Sequence, residues 1–240
     1  MDLRLYVVHG SHPCAAVQKA LDLKGLPCRV VEWPPPLHAP IQKLLFGART
    51  VPAMVIDGEK ISGSRAIMRR LDELAPEPPL YPADPALRAR VEEAERWGDE
   101  VFQPVAREII WVALGHSPQS MPSYTVHSRL AMPPAALRLS APLITRLARA
   151  INRTDDARAR ADIGALPAQL DMIDAWIADG TIGDAAQPNA ADLQILSTVR
   201  LLMTMADLRP LIEGRPCAAL AMAVFPQTDG EVPSGALSAA

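Results

Sequence analysis

Short apolar stretches separated by turn signals dominate the first 75 residues, and helical spacing of apolar residues dominates the rest. Residues 3–8, Leu-Arg-Leu-Tyr-Val-Val, have the β-branched and aromatic character of a strand. Ser11 can cap a helix that follows, with Pro13 tolerated in its first turn, Val17, Ala20 and Leu21 at helical spacing, and Gly25 as its stop. Residues 27–33 read as a second strand, so the opening predicts strand, helix, strand, the usual parallel pair with a crossover. Pro34-Pro35-Pro36 breaks the chain, and a short helix is predicted over Pro40 to Phe46. Residues 51–56 are apolar, and Asp57-Gly58 then predicts a tight hairpin into Glu59-Lys60-Ile61, because that dipeptide supplies the positive φ the turn needs. A helix beginning at Ser64 carries Ile67, Leu71 and Leu74 and ends at Ala75-Pro76.

The proline-dense segment 77–86 predicts a linker between a domain at 1–76 and a second at 87–240. No strand is expected beyond it, so the fold class is α/β plus all-α. Leu87, Val91, Ala94, Trp97 and Val101 mark a long helix that Pro104 is expected to kink. Residues 115–143, rich in Ser and Pro, predict an irregular insert or short helices. Leu166, Leu170, Ile173 and Ile177 form the next helical face, and Asn189 opens an apolar helix. An extended tail is predicted after Val224.

Composition narrows the function. Hydrophobic residues make up 49% and charged residues 21%, enough for a sizeable core. A net charge of −3 excludes the basic footprint of a nucleic-acid binder. The first residues are too short and too poorly flanked for a signal peptide, and no run has the length of a membrane span, so a cytoplasmic location is expected. Three cysteines, Cys14, Cys28 and Cys217, suit neither a disulfide framework nor a metal site.

Four segments carry a family resemblance: Ser11-His12-Pro13-Cys14, Thr50-Val51-Pro52-Ala53, Gly63-Ser64-Arg65-Ala66-Ile67 and Asn189-Ala190-Ala191-Asp192-Leu193. In their order and intervals they resemble the glutathione transferases, and most of all a bacterial subgroup with the same Gly-Ser-His-Pro-Cys opening. The resemblance implies a thioredoxin-like, thiol-binding N-terminal domain and a helical-bundle C-terminal domain. It implies a homodimer that takes glutathione or a related small thiol as co-substrate, needs no metal, and transfers the thiol to a small electrophile, as in detoxification. A thiol-dependent isomerase of the maleylpyruvate type, a thiol-disulfide reductase using Cys14, and a non-catalytic ligand-binding member stay open beside it.

The resemblance implies that Ser11 faces the ligand sulfur and that Val51 pairs with a bound peptide beside a cis Pro52. It also implies that Gly63 and Ser64 mark the site of the γ-glutamyl carboxylate, with His12 near a ligand carboxylate. Each residue has a plainer reading. Ser11 and Ser64 suit helix caps, Pro52 suits a strand start, and Cys14 suits a small buried hydrophobe as well as a reactive thiol at a helix start. Gly63 departs from the Glu or Gln usual in the family, which removes one side-chain partner for the ligand. The Asn189–Asp192 pair is expected to form a structural capping box. The electrophile pocket is expected between the domains, with Trp97, Phe102 and Trp111 as candidates and Met121 or His127 from the insert; each of these also suits a plain core position.

Overall fold

The computed structural model describes residues 1–34, 37–130 and 132–238; Pro35 and Pro36 of the predicted proline break lie outside the described residues. Strand β1 (Leu3–Val7) buries Leu3, Leu5 and Val7 on one face. Helix α1 (His12–Leu23) follows, and β2 (Arg29–Glu32) returns parallel to β1 with Arg4 opposite Arg29. Helix α2 (His38–Phe46) starts two residues earlier than the sequence suggests. Strand β3 (Ala53–Ile56) lies antiparallel to β1, and β4 (Glu59–Ser62) antiparallel to β3. The sheet order is β2-β1-β3-β4, the arrangement of a thioredoxin-like domain. Asp57 at φ 48° and Gly58 at φ 96° make the expected hairpin turn. Helix α3 (Ser64–Leu74) then packs against α1.

Helix α1 ends in a Schellman motif, with Gly25 N–H donating to Asp22 and Leu26 N–H to Leu21. Its C-cap, Lys24, has a fully buried side chain whose Nζ donates to Asp72 Oδ1 at 2.8 Å, Ala75 O at 2.6 Å and Pro78 O at 2.9 Å. Three acceptors satisfy all three ammonium donors, so burial of this charge is compensated, and α1 is tied to the segment that leaves the domain.

The second part is helical. Asp84 caps α4 (Pro85–Trp97) by accepting from Leu87 N–H. A π-helical turn over Gly98–Phe102 joins α4 to α5 (Gln103–His116). The turn lies just where Pro104 lacks the N–H for an ordinary helical bond, so the expected kink is absorbed by a wider turn. A 3₁₀ helix at Pro118–Thr125 begins the insert, and α6 (Pro134–Asn152) follows. Helix α6 replaces part of the stretch expected to be irregular: Pro133, Pro134 and Pro142 read as breakers, yet the first two stand at the helix start and Leu139, Leu143 and Leu147 recur four apart on its exposed face. Then come α7 (Asp156–Ala178), α8 (Ala190–Met203), α9 (Arg209–Ile212) and α10 (Pro216–Val224). Among the described residues no strand follows β4; a single parallel bridge joins Met205 to Val232 in the tail.

Helix α8 is the hub. Every residue in it except Arg200 is buried, and it touches α1, α4 and α10. Gly98 sits against it so closely that an added Cβ would meet Ile195 Cγ1 at 2.9 Å. The capping box is complete: Asn189 Oδ1 accepts from the Asp192 and Ala191 N–H groups, and Asp192 Oδ2 accepts from Asn189 N–H. Asn189→Ala removes the cap from this buried helix and is expected to lower stability by about 0.5–2 kcal/mol, read from the urea unfolding midpoint.

Candidate functional site

A cavity of about 370 Å³ opens between the two parts of the chain. The loop Val8–Pro13 and the segment Arg49–Val51 form its first wall, with His38 beside them. One face of α5, with Gln103, Arg107, Ile110, Trp111 and Leu114, forms the second, closed by Met121 and Tyr124 of the insert. The side chains on that face recur at helical spacing, so one helix presents two polar groups near its start and an apolar strip beyond them.

Ser11 lines this cavity at the N-cap of α1, with extended dihedrals, and its side chain makes no capping bond. Pro13 lacks an N–H, so the first turn of α1 offers the amides of His12 and Cys14, which have no acceptor within the helix. His12 is 8% exposed, lines the cavity, and has no partner for Nε2 among the described residues. Burial, helped by the charge of Arg107, pulls its imidazole down to about 3, so the ring is neutral at physiological pH.

Cys14 is 2% exposed and packs in the core rather than lining the cavity. Burial pushes its thiol up to about 12, against the opposite pull of hydrogen bonds with Ser11 and the Val8 backbone. The thiol form therefore dominates at neutral pH, which argues against a reactive cysteine and favours the packing role.

Val51 lines the cavity, and its peptide bond to Pro52 is cis. No hydrogen bond engages the Val51 backbone among the described residues, whereas Pro52 O accepts from Gly63 N–H. Gly63, rather than Ser64, is the N-cap of α3, and its φ of 91° is a conformation glycine adopts without a Cβ penalty. Ser64 is the first residue of α3, 1% exposed, and its hydroxyl has no partner among the described residues. The position expected to be a cap is therefore a buried, unsatisfied hydroxyl at a helix start.

The aromatic candidates divide. Trp111 lines the cavity, as does Met121. Trp97 and Phe102 do not; they stack with ring centroids 5.1 Å apart, and Trp97 meets Trp176 edge-on at 5.3 Å, with Phe102 wholly buried and the two tryptophans half-buried against the core. His127 lies on a neighbouring cavity of about 250 Å³ on the other side of the Val8–His12 loop.

Arg107, His38 and Tyr124 were not picked out by sequence reasoning. For Arg107 a signal existed, since Gln103, Arg107, Ile110 and Leu114 share a helical face whose polar end would be expected to meet solvent but meets the first domain. The Tyr124 hydroxyl pairs with Thr204 Oγ1 at 2.6 Å, and burial pushes its ionisation up to about 12.

The tail closes this region. Asp229 bonds His9 Nε2 at 2.7 Å through one oxygen and His127 Nδ1 at 2.7 Å through the other. Burial alone would raise the Asp229 carboxyl, but its bonds with His9 and His127 hold it below the usual carboxylate value. The stability it contributes is therefore present above that usual value and is lost as pH falls through the lowered folded one.

Asp229→Ala is expected to cost on the order of 1 kcal/mol and to speed amide exchange over residues 226–232, measured by mass spectrometry. Unchanged exchange would show that the tail is held elsewhere. For the thiols, the half-exposed Cys28 is expected to take up one equivalent of an aromatic disulfide reagent in the native protein, with Cys14 and Cys217 reacting only after unfolding. Fast native labelling of Cys14 would contradict its buried environment.

The family model of the glutathione S-transferase N-terminal domain matches residues 5–79. Among solved structures, the beta-etherase LigF from Sphingobium sp. strain SYK-6 aligns at TM-score 0.66 and 19% identity over 94% of each chain. A glutathione S-transferase from Rhodospirillum rubrum F11 aligns at 0.62 and 21% over 98% of each chain, and FzlA from C. crescentus at 0.60 and 17% over 98% of each. No curated protein matches the sequence. Residues 5–79 thus match the family of glutathione S-transferase N-terminal domains, and the sheet and helical bundle follow the fold of these solved structures along nearly the whole chain.

Proposed function

We propose that the protein binds glutathione or a related small thiol against its first domain and transfers it to an electrophile held by α5 and the insert. The observation that carries this reading is Ser11, a helix-start hydroxyl that lines the interdomain cavity and makes no capping bond. A thiolate there would receive the Ser11 O–H and the field of the α1 N-terminus, both of which favour the charged sulfur. Two further features support a glutathione-like ligand. The unengaged backbone of Val51 offers a strand-like rung to a peptide, and the buried Ser64 hydroxyl with the first amides of α3 offers a seat for a carboxylate.

Cys14 takes a supporting part in this reading. As a buried, neutral thiol it packs behind the helix start and leaves the sulfur chemistry to Ser11. The chemistry is then proximity plus stabilisation of the sulfur anion; the thiolate attacks the electrophile, and the leaving group departs with its electron pair. A homodimer is part of the same proposal, and light scattering at micromolar concentration tests it.

Glutathione turnover with 1-chloro-2,4-dinitrobenzene tests the assignment. Ser11→Ala is expected to slow conjugation about 10- to 150-fold, the usual worth of a hydrogen bond to a charged group, and to raise the pKa of the bound thiol followed by thiolate absorbance. Glutathione affinity should change little, and Cys14→Ser should keep most of the activity. Full activity in Ser11→Ala with normal thiol binding would move the sulfur chemistry to the helix amides or to Cys14.

A further inference from the structure

The cavity carries a charge pattern that its thiol-side features do not account for. Its lining includes Arg49 and Arg107 and, among the described residues, no Asp or Glu. Arg49 is exposed at the rim, whereas Arg107 is part-buried within the helical wall. Arg107 has no ion pair among the described residues, and its one hydrogen bond runs from Nη2 to Gln103 Oε1 at 3.1 Å. Gln103 in turn donates to Asp99 Oδ1 at 3.4 Å, so the nearest carboxylate orients the guanidinium through an amide instead of neutralising it. A guanidinium has five N–H donors, and the protein engages one of them here, which leaves the others free to meet water or a ligand in the cavity. Burial lowers the Arg107 pKa, while Asp99 pulls it back. Across the same cavity His12 is 8% exposed, and its Nε2 lacks a partner.

We infer that Arg107 and His12 form an anion position inside the cavity, and that the acceptor taken by this protein is an apolar, aromatic-sized molecule bearing a carboxylate. The apolar body has its own wall, because Ile110, Trp111 and Leu114 continue the α5 face beyond Arg107 and Met121 faces them from the insert. The seat proposed for the γ-glutamyl carboxylate of a glutathione-like thiol, Ser64, does not line this cavity, so that carboxylate does not claim Arg107, and the glutathione affinity of Arg107→Met decides the second one. Calling the bound molecule an acceptor rests on the thiol-transfer reading; its binding does not.

Isothermal titration calorimetry of the full chain with 2-naphthoate and its uncharged isostere 2-naphthamide tests this without turnover. The carboxylate is expected to bind at least about tenfold more tightly than the amide, the worth of a hydrogen bond to a charged group. Arg107→Met should abolish that preference while leaving amide and glutathione affinities within about twofold. Arg107→Lys should retain part of the preference. Equal binding of the two probes to the wild type, no binding of either, or a preference that survives Arg107→Met overturns the inference. So does an Arg107→Met protein that loses glutathione and keeps naphthoate, which would give the arginine to the thiol. The wild-type comparison stands even if Arg107→Met fails to fold. A wild type that prefers naphthoate but does not bind glutathione would sink the thiol-transfer reading and leave this one in place.

Discussion

The carboxylate of Glu95 is wholly buried where the first domain meets α4, and the cavity depends on what it holds together. It accepts from the Tyr81 hydroxyl at 2.7 Å and faces Arg65 and Arg69 of α3 at 3.4 and 3.5 Å. Burial pushes its pKa up, and Tyr81 and the two arginines pull it part of the way back, so the docked α3 supplies the partners that compensate a buried carboxylate. The Arg69 guanidinium also lies over the Tyr81 ring at 5.0 Å, adding a contact that no change in salt would easily dissolve. An apolar contact would let α3 slide; a carboxylate that must be matched by a hydroxyl and two guanidinium groups fixes one relative position. With α3 fixed, α1 and its first turn are fixed against α8, and the loop that bears Ser11 stands at a set distance from α5.

That rigidity extends to both walls of the cavity. Ser11 begins a helix whose axis is held at its other end by the buried Lys24 ammonium, so the first turn has little freedom to retreat from the cavity. On the opposite wall Arg107 is braced by Gln103, and Gln103 by Asp99, a relay within two turns of one helix. The site is thus built from two helix beginnings and one helix face, and the irregular chain around it serves mainly as cover.

The fold was legible where a local signal is sufficient. Asp57-Gly58 specifies its hairpin, Gly25 its helix stop and Asn189 with Asp192 its capping box, because each depends on a few neighbouring residues and on backbone chemistry alone. Helix α6 was hidden by its prolines, because Pro133, Pro134 and Pro142 read as breakers although the first two only open the helix. Ser11 and Val51, taken from motif position, and Trp111, taken as an aromatic on the long helix, all line one cavity, whereas Trp97 and Phe102 lie in an aromatic stack that spacing cannot distinguish from a pocket wall. Arg107 was missed for the converse reason. A charged residue on a long helix reads as solvent-facing until the second domain is in place, and nothing within its own turn tells which side that domain will cover.

The tail is a brace between the two walls. Gly230 lies flat against Tyr124, so that a Cβ there would meet the ring at 2.1 Å, and the bond from His9 to Asp229 joins positions 220 residues apart. Because Asp229 also holds His127, one carboxylate ties the loop after β1 to the insert. A change anywhere in that short segment therefore reaches both walls at once, although none of its residues lines the larger cavity.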